Sequence, residues 1–322
     1  MTSKIQLHDT RELDLSIIVV SFNTREMTLA CLQSIVDETR DTRYEVIIVD
    51  NNSLDGSAEA IRLEFPQFSL ISLEENIGFA RANNLAAAQA NGRKILLLNP
   101  DTLVIDNAVD RLLSFANKTS SYQIWGGRTI HGDGSLNPAS CWHRITLWSL
   151  VCFAIGLTSI FRGNPFFNVE AYAGWNRDTV RHVDIVTGCF LLIDRQLWMR
   201  LGGFDPAFFM YGEEADLCYR AKKLGAIPTI TPEATIVHFV GASDKVFVER
   251  RLKILKGRVT LIRKHFSPLS RRIGCALQAS VPLTRWLGYR LIGGLFNRPD
   301  LGLLANEWGS IWQRRAEWSS GY

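Results

Sequence analysis

The chain has 322 residues, of which 47% are hydrophobic and 21% are charged, and its formal net charge is +4. This globular composition supplies enough apolar side chains for one large domain with an appendage, or for two domains. The positive excess is mild and does not call for a nucleic-acid partner, so we expect none.

Strands and helices alternate over the first hundred residues. Continuous apolar runs predict buried strands at 15–21, 44–50, 68–73 and 94–99. The segments between them predict helices at 24–37, 57–65 and 81–91. This alternation implies right-handed crossovers and a mostly parallel α/β sheet flanked by helices.

Polar and acidic side chains stand where three of these strands end. They are Ser21, Asn23, Asp50, Asn52, Asn99 and Asp101. Ligands of open α/β sheets bind beyond the carboxyl ends of the strands, so we expect these residues to converge on one edge. Neither glycine-rich phosphate loop follows the first strand. A nucleotide bound at this edge would therefore be held by side chains and a metal.

The second half of the chain carries a cluster of three carboxylates, Glu213, Glu214 and Asp216. Such crowding predicts that at least one of them has a raised pKa or faces a cation. Two simpler interpretations stay open: acidic residues complement the dipole of a helix that begins here, and Asp216 can pair with Arg220 four residues on. A strand with an internal glycine is predicted at 185–193, a helix from the cluster to about 225, and a short strand at 236–238.

Two segments bear on membrane contact. The apolar stretch 147–161 is shorter than the roughly 20 residues that span a bilayer, and it can be a buried helix or an interfacial segment. The last quarter interleaves arginines with Trp and Leu, which predicts either a membrane-surface or partner-binding extension, or solvated helices packed on the domain. The six cysteines form no metal-type pair and follow no secretion signal, so we expect reduced thiols in a cytoplasmic protein.

Four ordered motifs together resemble the inverting GT-A glycosyltransferases of family 2, and within it the rhamnosyltransferase-like enzymes of cell-surface polysaccharide assembly. The motifs are residues 16–23, 48–53, 76–84 and 98–101, and the match continues at 202–220 and at His238, Gly241 and Ser243. The resemblance implies a GT-A domain over 15–245, after an N-terminal tail of residues 1–14. An acceptor-side insert would span 128–183 and a helical, basic amphipathic extension 246–322.

The resemblance also implies roles for particular residues. Donor binding would fall to Ser21, Asn23, Asp50, Asn52, Gly78, Arg81, Asn99 and Asp101. Asp101 and His238 would hold a divalent metal, Mg²⁺ or Mn²⁺, and Glu214 would be the general base, with Glu213 or Asp216 as substitutes. Two residues depart from the family pattern: Asn99 replaces the first acid of the Asp-x-Asp motif, and Glu214 stands where an Asp is usual.

The expected protein is thus an inverting glycosyltransferase. It would move a sugar such as rhamnose from a dTDP- or UDP-linked donor to a glycan or polyprenyl-linked glycan, at the inner face of the cell membrane. A non-catalytic glycan-binding scaffold of the same fold and a sugar nucleotidyltransferase remain as alternatives.

Overall fold

The computed structural model describes residues 13–239 and 247–322, and Gly241 and Ser243 lie outside them. The amino-terminal half forms four parallel strands in the order β3-β2-β1-β4. Their bounds are β1 Leu15–Ser21, β2 Tyr44–Asp50, β3 Ser69–Ser72 and β4 Lys94–Leu98. The register pairs Leu15 with Tyr44 and Ser21 with Asp50, so β1 and β2 end at the same edge.

Helices cover both faces of this parallel half. They are α1 Arg25–Glu38, α2 Ser57–Glu64, α3 Phe79–Ala87 and α4 Ala108–Lys118. Alternate residues of β1 serve the two cores: Ile17 and Val19 pack in the cluster with α1, α2 and α4, whereas Ile18 and Val20 pack with α3. The strands are apolar on both sides for this reason.

The sheet continues in antiparallel and mixed pairings. Next to β4 the order is β11-β6-β12-β5, with β7 on β6 and β9 on β12. The bounds are β5 Thr102–Val104, β6 Ile124–Ile130, β7 Leu136–Asn137, β9 Arg181–His182, β11 Phe190–Asp194 and β12 Thr229–His238. A separate pair joins β8 Cys141–Trp142 to β10 Ile185–Val186.

Two predicted strands differ from the structure by more than one residue at an end. The predicted strand 185–193 is interrupted, because Phe190 donates its N–H to Thr187 O in a turn centred on Gly188. A Cβ on Gly188 would lie 3.3 Å from the Phe79 ring, so the glycine permits a close approach here. The predicted short strand at 236–238 is the end of the ten-residue β12.

The remaining helices come later in the chain. Two helices lie between β11 and β12 in the chain: α7 Arg195–Leu201 and α8 Glu213–Lys223. The insert contributes α5 Leu147–Ala154 and α6 Leu157–Ile160, and the carboxyl-terminal part contributes α9 Phe247–His265, α10 Pro268–Leu295 and α11 Pro299–Gln313.

The predicted apolar stretch 147–161 is divided between a buried and an exposed part. Leu150 and Cys152 of α5 are buried, whereas Ile155 is 61% and Ile160 70% exposed. The C-terminal helices have a core of their own, centred on Trp308, Ile311 and Trp318. No helix in the described part of the chain is long and apolar enough to cross a membrane. All six cysteines are free thiols.

Candidate active site

The acidic pair stands at the start of α8, on the wall of a cavity of about 640 Å³. Gly212 precedes the pair with a positive φ of 106°, a backbone conformation that glycine adopts without strain. Glu214 Oε2 accepts the Gly212 N–H at 3.3 Å. Glu213 is 3% exposed, and its Oε2 is buried with no hydrogen-bond partner among the described residues. The site therefore holds a carboxyl oxygen that is available to a ligand.

Both members of the pair are biased toward the protonated form. Burial, together with the charge of Glu214, raises the pKa of Glu213 well above its ordinary value. Burial also raises the pKa of Glu214. Because two adjacent carboxylates do not readily ionise together, a single proton on the pair is favoured, and it is favoured on the more buried Glu213.

Asp216 lies apart from the pair, and it does not line the cavity. Its side chain is fully buried and contacts two cations and an imidazole: Arg220 Nε at 2.6 Å, Lys264 Nζ at 2.8 Å and His265 Nε2 at 2.8 Å. The ion pair with Arg220 agrees with the simpler interpretation from the sequence, in which Asp216 pairs with the arginine four residues on. Burial alone would raise the pKa of Asp216, but His265, Lys264 and Arg220 hold it far below the ordinary aspartate range. Such a carboxylate is a poor general base and joins α8 to α9.

Close packing of α9 also fixes the turn before the acidic pair. A Cβ on Gly257 of α9 would lie 1.9 Å from the carbonyl oxygen of Tyr211, so only glycine fits there. We expect Gly257→Ala to lower the free energy of unfolding by roughly 1–3 kcal/mol, because the turn must move. Denaturant unfolding would measure this loss.

Gly288→Ala is the matched control for that substitution. Gly288 is also inside a helix, α10, but a Cβ there meets nothing within 4 Å. It should leave stability unchanged or raise it slightly, because alanine favours the helix. Equal effects of the two substitutions would contradict the packing argument.

The candidate metal ligands meet because β12 pairs with β5. His238 aligns with Thr102 in this pairing, and Phe239 N donates to Asp101 O at 2.9 Å. His238 Nε2 then lies 3.4 Å from Asp101 Oδ1, a spacing at which one cation with ligand distances of about 2.1 Å can contact both. Burial opposes a charge on the imidazole, but Cys189 and Asp101 outweigh it and raise the pKa of His238 to about 10. The pocket therefore favours positive charge.

Asn99, next to these ligands, offers a neutral oxygen. Its Oδ1 is buried without a hydrogen-bond partner in the part of the chain that the structure describes, and the residue lines the cavity with His238. The described residues contain no group of three or more His, Cys, Asp or Glu that could hold a metal. A metal here would therefore rely on Asp101, His238 and an amide oxygen, and on ligands from a substrate.

Asp50 supplies a second buried acceptor without a described partner at the predicted donor edge, in addition to Asn99. Asp50, at the end of β2, is buried; its Oδ2 accepts the Ser53 N–H at 3.0 Å, but its Oδ1 has no hydrogen-bond partner within residues 13–239 and 247–322. Asn23 braces this loop by accepting the Leu54 N–H at 2.8 Å. Asn52 is half-buried beside it with a positive φ of 66°. Asp50 is therefore the residue of this edge most suited to bind a donor group.

Three predicted donor residues have other contacts in the structure. The Ser21 hydroxyl is buried and bonds Thr28 of α1 at 2.9 Å, so it supports the helix. Arg81 is exposed and donates to Pro206 O at 3.3 Å. Gly78 has a positive φ of 83° and lies against Phe209, whose carbonyl oxygen would be 2.6 Å from an added Cβ. Gly78 thus lets the loop before α3 pack on the turn that precedes the acidic pair.

Three asparagines that the sequence did not single out connect these parts. Asn51 donates to Asn76 Oδ1 at 3.0 Å and accepts the Ile77 N–H at 3.0 Å. Asn84 of α3 bonds both the N–H and the carbonyl of Phe204, at 2.9 and 2.8 Å. Repeated asparagine beside glycine in these loops was the available signal. The asparagines hold the donor-edge loops against the turn that leads to Glu213.

The far wall of the cavity comes from the insert and α9. Arg258 makes a two-pronged ion pair with Glu170 of the insert, at 2.6 and 3.0 Å. Burial would raise the pKa of Glu170, but Arg258 lowers it, so the pair stays charged. Arg258 also donates to Gln278 of α10 at 2.9 Å. These contacts hold the insert, α9 and α10 together around the cavity.

The mixed sheet and its flanking helices define the GT-A glycosyltransferase fold. The chain superimposes on the mannosyltransferase PcManGT from Pyrobaculum calidifontis, solved with GDP-Man and Mn²⁺, with a TM-score of 0.54 and 17% identity, covering 97% of this chain and 86% of that one. It also superimposes on GalNAc-T7, solved with UDP, GalNAc and Mn²⁺, with a TM-score of 0.58 and 16% identity, covering 84% and 52%.

The chain belongs to glycosyl transferase family 2, whose sequence profile matches residues 16–184, just over half of its length. Relatives 26% identical are the O-antigen biosynthesis protein RfbC of Myxococcus xanthus, N-acetylglucosaminyl-diphospho-decaprenol L-rhamnosyltransferase of Mycobacterium tuberculosis, and rhamnosyltransferase WbbL of Escherichia coli K12. The alignments cover 71%, 60% and 74% of this chain. They span 17%, 66% and 88% of the three relatives, so the chain matches only a small part of RfbC.

Proposed function

We propose that this protein is an inverting glycosyltransferase that moves rhamnose from a nucleotide diphosphate to a glycan on a lipid diphosphate. The observation that carries the proposal is the buried acidic pair, Glu213 and Glu214, which shares a cavity with His238 and Asn99. The family membership and the names of two rhamnosyltransferase relatives support the sugar and the acceptor class.

Glu214 is the proposed general base. An acceptor hydroxyl is a weak nucleophile, and a carboxylate that removes its proton in the transition state accelerates attack on the anomeric carbon. A base with a raised pKa is better matched to this task near neutral pH. Glu213, holding the shared proton, donates a hydrogen bond to a substrate oxygen and keeps its neighbour ionised. A single displacement of this kind inverts the anomeric centre and needs no second nucleophile.

Asp101, His238 and the Asn99 amide oxygen are the proposed holders of Mg²⁺ or Mn²⁺. When bound, such a cation would neutralise the charge that develops on the nucleotide diphosphate as it leaves. Asn99 supplies no charge where the family motif has an acid. We therefore expect metal affinity to depend on the donor's phosphates, which would complete the coordination.

The remaining donor contacts are proposed for Asp50, Asn52, Asn23 and Arg81. The unpaired Oδ1 of Asp50 suits an N–H of a dTDP or UDP base or a ribose hydroxyl. Ser21 and Gly78 would act indirectly, by supporting α1 and the loop before α3.

Peripheral contact with the inner face of the cell membrane is also proposed. Leu291, Leu295 and Phe296 are 65%, 79% and 70% exposed at the end of α10, close in sequence to Arg290 and Arg298. Exposed apolar side chains beside arginines are typical of surfaces that rest on anionic lipid.

A thermal-shift screen of nucleotide sugars with and without Mn²⁺ or Mg²⁺ tests the donor and metal assignments. We expect dTDP-rhamnose with metal to raise the melting temperature most, because a ligand at 100 times its Kd stabilises a protein by about 2.7 kcal/mol. In His238→Gln the metal-dependent part of the shift should disappear, and the metal-free part should remain.

NMR of the product's anomeric configuration would complete this test. An inverted linkage supports a single displacement, and a retained one contradicts it. Absence of any shift with every nucleotide sugar, together with binding of glycans, would favour the non-catalytic alternative.

A further inference from the structure

Arginines of α9 form a second polar region of the same cavity. Arg250, Arg251, Ile254, Arg258 and Leu261 recur at helical spacing and all line it. Arg258 is already neutralised by Glu170. Glu249, the acidic residue that precedes Arg250 and Arg251, forms its ion pair with Arg314. Arg250 and Arg251 are the other two arginines of α9 that line the cavity.

No carboxylate within the described ranges forms an ion pair with either arginine. Arg251 is held by aromatic faces, with its guanidinium 5.1 Å from the Phe247 ring and 5.7 Å from the Trp308 ring. Burial and the nearby charges of Arg250 and Arg285 lower its pKa. Arg285 itself donates to Phe153 O at 2.8 Å. Partly buried cations crowded in this way are stabilised by an anion, and guanidinium groups match phosphate oxygens best.

The cavity has apolar surroundings on the same side. Phe153, which contacts Arg285, lines it, and four apolar residues of the insert are exposed: Ile155, Ile160, Phe161 and Phe166. A ligand that fits both features carries a phosphate group followed by an apolar chain. A nucleotide diphosphate has the charge but not the chain.

We propose that Arg250 and Arg251 bind the diphosphate of the lipid-linked acceptor, and that its lipid chain leaves over α5 and α6. This inference rests on the proposed function. It assigns the two ends of the cavity: the acceptor's sugar hydroxyl faces Glu214, and its diphosphate faces α9. The position of the diphosphate would then orient the hydroxyl.

Titration calorimetry with farnesyl diphosphate, farnesol and dTDP tests the site without any sugar transfer. We expect wild type to bind farnesyl diphosphate more tightly than farnesol, and Arg250→Gln with Arg251→Gln to weaken it by roughly tenfold to hundredfold. Arg272→Gln, an exposed arginine of α10, changes the net charge by one and should have no effect. Affinity for dTDP should stay within about twofold of wild type in all variants.

Three outcomes of this experiment contradict the proposal. Unchanged farnesyl diphosphate affinity in the double variant would overturn it, and so would equal binding of farnesol. Loss of dTDP affinity instead would assign the arginines to the donor's diphosphate. If farnesyl diphosphate binds as expected but no nucleotide sugar is consumed by wild type, the proposed function fails and the diphosphate site stands.

Discussion

Glu214→Gln is expected to lower the turnover number of sugar transfer by roughly 10²–10⁴, because glutamine cannot accept the proton of the acceptor hydroxyl. Nucleotide affinity should stay within about twofold of wild type, since Glu214 lies on the cavity wall and not among the proposed nucleotide-binding residues at the donor edge. Steady-state rates with dTDP-rhamnose and calorimetry with dTDP would measure the two quantities. Full activity in this variant would exclude Glu214 as the base.

Glu213→Gln is the matched control, because it changes the neighbouring carboxyl to the same amide. Wild-type activity should fall on the acidic side of the Glu214 pKa, which burial raises above the ordinary glutamate value. If Glu213 holds the shared proton, glutamine imitates its neutral form. The pH at which activity falls on the acidic side should then be the same in Glu213→Gln as in wild type. A loss of activity in Glu213→Gln equal to that in Glu214→Gln would instead show that the two carboxyls act as one unit, or that Glu213 is the base.

The sequence predicted the features of the site that depend on neighbours along the chain. β1 and β2 have the predicted bounds because each is an apolar run closed by polar residues at Ser21 and Asp50. The start of α8 was similarly visible in its acidic first turn. These signals are local, because a short continuous apolar run that ends in polar residues is typical of a strand buried on both faces.

The features that the sequence did not predict depend on pairing between distant segments. One such feature is the length of β12, which a register shift between Thr231 and Thr235 carries past Pro232. The family resemblance alone implied that His238 lies near Asp101, since this requires β12 to be in register with β5. Ion pairs between distant residues were also not predicted: the partner of Arg258 is Glu170, which is 88 residues away in the sequence. No periodicity or motif specifies such a contact. The direction of the Ser21 hydroxyl, toward α1, is likewise a property of packing.

Asp216→Asn is expected to lower the free energy of unfolding at neutral pH by roughly 1–3 kcal/mol, because it replaces the buried carboxylate that pairs with Arg220 and Lys264 by a neutral amide. The groups that face Asp216 are Arg220, Lys264 and His265, and Lys264 also contacts Asp205. The folded-state pKa of Asp216 is depressed, so its contribution is present above the unfolded value of about 3.8 and is lost as pH falls toward the folded value. Chemical denaturation at pH 7 and at pH 3 would therefore show a difference between wild type and variant that shrinks in acid.

Asp300→Asn provides the comparison, since Asp300 also pairs with an arginine, Arg298 at 2.8 Å, but on the exposed surface of α11. Exposed pairs of this kind contribute little, and its denaturation midpoint should not change measurably. Donor binding distinguishes a structural from a catalytic role for Asp216. If the variant, once folded, binds dTDP and transfers sugar like wild type, Asp216 serves only the junction of α8 and α9. If stability is unchanged and transfer is lost, the structural assignment is wrong and Asp216 belongs with the acidic pair.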